Sequence, residues 1–303
     1  MKYSHSGTVL TKDLVTVDGR RLASRGEIVG IARLKAVALK APRGLRERTL
    51  FETYVAETEL VVAAFDESPL QHLLGGESRR RVRAATALAE VRFPQPVWAE
   101  LQALRKEDAP RYQHAIWTSV IVAHLFQQAM GEEPGMHRLV GGALTHDLGM
   151  RQVAAPLRFK QDHLTRADAL ALECHPLLGA LVLASVLGDA PAVQFALLHH
   201  TRAGFNYGRA GNEATLRELD LISVASAFAA LIAPRSYRLL PYNPRGAVDQ
   251  LVDDAVAGQF DLRAIRLLIR CLRSTKPDAD LRFPRKLTGF RPPVNHYGMA
   301  AGA

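Results

Sequence analysis

The sequence predicts a mainly helical protein, a helical bundle preceded by a small β-containing N-terminal module. Three observations point there. From Ser78 onward Ala, Leu, Arg and Glu dominate, and apolar residues recur at spacings of three and four, the period of a helix with one face buried. Gly or Pro marks the breaks between these periodic segments. The first fifty residues differ: "GTVLTKDLVTVDGRRLASRGEIV" carries short β-branched runs, broken at Asp18-Gly19 and again at Gly26. Residues 1–75 are therefore assigned to a small module with short strands, 76–273 to the helical domain, and 274–303 to a basic tail whose prolines (277, 284, 292 and 293) oppose regular structure. Within the domain, Ser78 caps a first helix over 78–91, and a second follows over 95–106. Pro110 opens a long helix over 111–131 and Gly131 closes it. Further helices are predicted over 135–147, 166–174, 176–187, 190–200, 214–233, 245–257 and 261–273, with loops at Pro156 and Gly204.

Bulk composition narrows the class. With 48% hydrophobic and 23% charged residues, 303 residues bury a substantial core as one large domain or two modest ones. The longest apolar run, 176–198, is interrupted by Asp189 and Pro191, so no membrane span is expected. The opening "MKYSHSGTVLTKD" has no hydrophobic core segment, so no secretory signal is expected either. The two cysteines, Cys174 and Cys271, read as buried thiols in a reducing cytoplasm. The net charge of +9 is concentrated at the ends: eleven Lys/Arg against four Asp/Glu in 1–48, and nine against three in 258–303. No nucleic-acid fold signature accompanies that charge, which is read as solvated termini.

Chemistry concentrates in the histidines. Eight of the eleven lie between His114 and His200. His146 and Asp147 are adjacent, about 100° apart on a helix, so both reach one centre only where the helix ends, and Gly149 supplies an end. His199 and His200 repeat the arrangement, with Gly204 nearby. With His114 and His175 they form a candidate metal set of His114, His146, Asp147, His175, His199 and His200, drawn from four helical stretches, because imidazole and carboxylate suit a divalent metal. His124 and His137 read instead as core or capped histidines.

These motifs resemble the HD superfamily of metal-dependent phosphohydrolases, and within it the HD-GYP branch. The matched pieces are His114, "HDLG" at 146–149, "HPLLG" at 175–179, "HH" at 199–200 followed by "GFNYG", "LISVASAFAALIAPRSYR" at 221–238 and "AVAGQFDLRAIRLL" at 255–268. The likeness covers roughly residues 105–270; the N-terminal segment is similar, more weakly, to a module found ahead of such domains. The resemblance implies an HD-type helical bundle with clustered metals, iron or manganese among them, and hydrolysis of cyclic di-GMP. It implies His146 and Asp147 as the catalytic metal pair, the six residues above as ligands, and Arg235, Arg238 and Tyr207 as contacts to the ligand.

The sequence departs from that pattern. Met150 stands where the family has a phosphate-contacting lysine, Ser226 and Ala229 where it has acidic residues, Thr201 in place of a glutamate, and Asn206-Tyr207-Gly208 at the GYP element. A glutamate one turn before the first histidine is replaced by Pro110. A serine hydroxyl is a poor ligand for a divalent cation. The expectation is one complete metal site (Asp147, His175, His199, His200) and a second that is weak or absent. Asp220, six residues before Ser226 and far round the helix from it, is not expected to compensate. Three functions remain open: a cyclic dinucleotide phosphodiesterase, a degenerate module that binds metal or dinucleotide and acts on a protein signalling partner, and a phosphohydrolase for another nucleotide or phosphoester.

Overall fold

The computed structural model describes residues 8–9, 14–15, 21–26, 28–29, 70, 83–84, 86–88, 90–130, 135–161, 164–200, 213–235 and 240–273. Near the N-terminus two short antiparallel pairings nest. β1 (Thr8–Val9) pairs with β4 (Ile28–Val29), and β2 (Leu14–Val15) pairs with β3 (Arg21–Ala23). The rest of the segment assigned to an N-terminal module, and the tail 274–303, lie outside the described residues.

Most of the other described residues are helical. The helices are α1 (Gln95–Glu107), α2 (Ala109–Met130), α3 (Met136–Thr145), α4 (Ala155–Arg158), α5 (Arg166–Leu172), α6 (His175–Leu187), α7 (Pro191–Leu198), α8 (Glu213–Ile232), α9 (Pro244–Val256) and α10 (Leu262–Arg273). A 3-10 turn, Leu148–Gln152, joins α3 to α4. Neither that turn nor α4 is predicted by the sequence, because stretches of five and four residues carry no readable period. Residues 83–84 and 86–88 are helical, within the first predicted helix. No described helix is long and apolar enough to cross a membrane.

α2 forms the axis of the bundle. Fourteen of its 22 residues are buried, on every side, because α1, α3, α8 and α10 all pack against it. α6 is equally apolar all round and is covered by α7 and the 3-10 turn. α10 is one-sided by contrast: Ala264, Ile265, Leu268 and Ile269 face the core, while Arg263 is exposed. Cys271 is buried as expected, but Cys174 is only half-buried. The correction has a simple cause, since Cys174 occupies the turn between α5 and α6, where the chain meets the surface.

Two glycine contacts set the positions of the helix ends. On α3, a Cβ at Gly142 would fall 2.2 Å from the Phe195 ring, so only glycine lets α7 seat its fully buried phenyl group against α3. In the 3-10 turn, a Cβ at Gly149 would fall 1.9 Å from the His175 carbonyl oxygen and 2.4 Å from the Gly179 amide nitrogen. Backbone there touches backbone. The turn after Asp147 is further held to α1 by Arg151, whose guanidinium pairs with Glu100 and, at 2.9 Å, with Glu107.

Candidate metal centre

These contacts gather helix ends around one buried point. α3 stops at Thr145, and Asp147 leaves helical geometry at φ −99°, ψ 6°, so the adjacent side chains of His146 and Asp147 both reach the same centre. His146 and His199 each cap the C-terminus of a helix, and His175 follows closely on the end of α5. In all three the imidazole Nδ1–H donates to the carbonyl three residues back: His146 to Ala143 (2.6 Å), His175 to Leu172 (2.6 Å) and His199 to Ala196 (2.8 Å). Each bond satisfies a helix-end carbonyl that lacks an intrahelical partner. It also fixes the tautomer and leaves the Nε2 lone pair facing the centre. Ser223 on α8 secures the region further, its hydroxyl donating to the His199 carbonyl at 2.8 Å.

The six residues predicted as ligands come together as two groups that share Asp147. One comprises Asp147, His175, His199 and His200, the other His114, His146 and Asp147, and within each group the ligating atoms lie within 4.8 Å of one another. Asp147 Oδ1 is 3.1 Å from His175 Nε2 and 3.5 Å from His199 Nε2, while those two nitrogens are 3.2 Å apart. The rings of His199 and His200 have centroids 4.2 Å apart. His200 is exposed, so this group is buried on one side and open on the other.

Electrostatics decide what such an arrangement can hold. Burial lowers the pKa of His175, against the pull of Asp147, and takes that of His146 down to about 4. His114 is held well below its ordinary value by burial and then by the Arg235 charge. Burial works to raise the Asp147 carboxyl, but the imidazoles of His146, His175 and His199 outweigh it and hold it well below the usual carboxylate range. At neutral pH the first group therefore presents an ionised oxygen and the His175 Nε2 lone pair at hydrogen-bond distance, with His199 Nε2 beside them and the Nδ1 protons of both rings committed to backbone. Acceptors packed this closely repel unless a cation lies among them. Hard-borderline N/O donors of this kind fit a divalent transition metal.

No family model and no curated protein matches this chain. Among solved structures the chain is similar to Bd1817, described as a HDG"Y"P protein from Bdellovibrio bacteriovorus, at 16% sequence identity and a TM-score of 0.45 over 89% of this chain and 96% of that one.

The other predicted residues fall as follows. Ser226, on α8, is buried, and its Oγ lies 3.2 Å from both His114 Nε2 and His146 Nε2. Arg235 brings Nη2 to 3.3 Å from His114 Nδ1. Met150 is buried. His124 is buried and His137 exposed, and neither joins the two groups; nor does Asp220. Thr201, Asn206, Tyr207, Gly208 and Arg238 lie outside the described residues. Sequence reasoning overlooked Arg111, whose Nη1 pairs with Asp147 Oδ2 at 3.1 Å. The available signal was its position three residues before His114, on the same face of one helix.

Proposed function

We propose that this chain is a metal-dependent phosphohydrolase of the HD type, acting as an HD-GYP-like phosphodiesterase on a cyclic dinucleotide such as cyclic di-GMP. The observation that carries the reading is the convergence of Asp147 Oδ1 with the Nε2 atoms of His175 and His199, beside exposed His200. When bound there, iron or manganese supplies Lewis acidity to a phosphoryl oxygen and to water. The chain's own groups do the rest. Asp147 contributes the anionic ligand, and the helix-end carbonyls of Leu172 and Ala196 hold His175 and His199 in the ligating tautomer. His200, on the open side, admits the phosphodiester. We assign Arg235, Arg238 and Tyr207 to ligand contact, with Arg235 stationed beside the centre by His114. We assign the β-containing N-terminal segment to a separate module.

Ser226 favours a second reading, a degenerate module that binds metal or dinucleotide and signals through a protein partner. A neutral hydroxyl stands where an anionic ligand would complete the group around His114 and His146.

One assay separates the two. Protein loaded with Mn(II) or Fe(II) is incubated with cyclic di-GMP, and linear products are resolved by anion-exchange chromatography. The phosphodiesterase reading expects turnover that falls to background in Asp147→Asn. Tight dinucleotide binding without turnover supports the signalling module. Turnover of other phosphoesters alone moves the substrate assignment; a protein that takes up no metal removes the phosphodiesterase reading, and one that binds neither metal nor dinucleotide removes both.

A further inference from the structure

The geometry points to a one-cation centre in which the Arg111 guanidinium replaces a second metal ion; the inference rests on the metal-binding reading above. Asp147 is the only group shared by the two ligand sets, and its two oxygens face different neighbours. Oδ1 serves His175 and His199. Oδ2 lies 3.9 Å from His114 Nε2, on the side where a second cation would bridge, but its near partner is Arg111 Nη1 at 3.1 Å. The carboxylate already has a positive charge on that oxygen, delivered by a side chain that is four-fifths covered.

The two imidazoles of this half are also committed. Their hydrogen-bond chain has one possible direction, because both ends are fixed. Ala143 O can only accept, so His146 carries its proton on Nδ1 and offers a lone pair at Nε2. Ser226 must then donate its single O–H to His146 Nε2. Its oxygen in turn accepts from His114 Nε2–H. That leaves a lone pair on His114 Nδ1, which accepts from Arg235, a residue able only to donate. The nitrogen of His114 that faces the centre therefore bears hydrogen, not a lone pair. Moving that hydrogen to Nδ1 would set an N–H against the Arg235 donors. A cation in this half would also approach two guanidinium groups with only a half-share of one carboxylate. His114, His146 and Ser226 thus do not fit a metal, although their atoms are close enough to hold one.

Metal counting tests this without reference to turnover. The full chain is stripped with chelator, saturated with Mn(II) and desalted; bound metal is measured by atomic emission and its nuclearity by electron paramagnetic resonance. One Mn(II) per chain with an isolated-ion spectrum is expected. His114→Ala should leave the count at one, whereas His175→Ala should lose the ion. The double variant Ser226→Asp with Arg111→Gln supplies an anionic ligand and frees Oδ2, and is expected to bind two ions as an exchange-coupled pair. Two ions in the unmodified protein, or a loss of metal in His114→Ala, would overturn the inference while leaving the metal-binding reading intact. A double variant that folds and still holds a single ion overturns the role given to Arg111 and Ser226. No bound metal in any form defeats the inference together with the reading beneath it. Should the double variant not fold, the unmodified protein and His114→Ala still decide.

Discussion

At the scale of single residues, the centre depends as much on two hydrogen atoms in place of methyl groups as on its ligands. Gly149 lets the turn after Asp147 lie directly on the first turn of α6, where the obstacle to a Cβ is backbone on every side. Gly142 meets a phenyl ring, but Phe195 is fully buried and has nowhere to swing. Both substitutions to alanine overpack the core, at a cost of about 1–3 kcal/mol for Gly142→Ala and at or above the top of that range for Gly149→Ala. Gly149→Ala should do further harm. By pushing the His175 carbonyl away it separates His175 from Asp147, and on the order of 10–100-fold in Mn(II) affinity is expected to go with it. Thermal unfolding and Mn(II) titration of the two variants check this; equal metal affinity in both would show that the close approach at Gly149 does not position the ligands.

At the scale of elements, helix ends supply the site and helix caps hold it. α5 begins with a capping box in which the Thr165 hydroxyl accepts from the Asp168 amide and the Asp168 carboxylate accepts from the Thr165 amide, with Lys160 bound to the same carboxylate at 2.5 Å. Its other end presents the Leu172 carbonyl to His175. Thr165→Ala should therefore cost about 1 kcal/mol of stability and weaken Mn(II) binding as well, whereas Asn243→Ala, which removes the cap of α9, should cost a similar amount and leave metal affinity unchanged. Comparing the two variants by denaturant unfolding and by metal titration isolates the path through α5. Most of these helices could be read from the sequence, because apolar period and Gly/Pro punctuation act locally; the ends of α1, α6 and α8 fall within one or two residues of the expected positions. Much of the histidine set was readable for the same reason, since His146, His175 and His199 sit at recognisable helix ends, whereas His114 lies within α2. Arg111 and the hydrogen-bond chain through Ser226 were not, since they join residues 36 and 112 positions apart and no local pattern encodes which donor meets which acceptor. The 3-10 turn was not legible because a stretch of five residues carries no readable period.

For the whole molecule, a core that stores neutral imidazoles makes stability depend on pH in one direction. His146 is fully buried, with its pKa at about 4 against 6.5 in the unfolded chain, and His114 and His175 are displaced the same way. Above pH 6.5 these rings are neutral in both states and contribute no pH dependence. As pH falls below 6.5 the unfolded chain takes up protons that the folded rings refuse, so unfolding becomes easier until the folded pKa is reached. For His146 alone the loss between pH 6.5 and 4 amounts to about 3 kcal/mol, and the other two rings add to it. Asp147, displaced below its ordinary value, acts in the same sense at still lower pH. Urea unfolding at a series of pH values should thus show a plateau near neutrality and a steep decline beginning near 6.5; a curve flat down to pH 5 would mean that the rings are charged in the folded state. Saturating Mn(II) should raise the plateau, by about 2.7 kcal/mol at one hundred times its dissociation constant, and make the decline steeper, because the same lone pairs then choose between a proton and the ion. If added Mn(II) shifts stability by an equal amount at pH 5 and pH 7.5, it is binding somewhere other than these histidines.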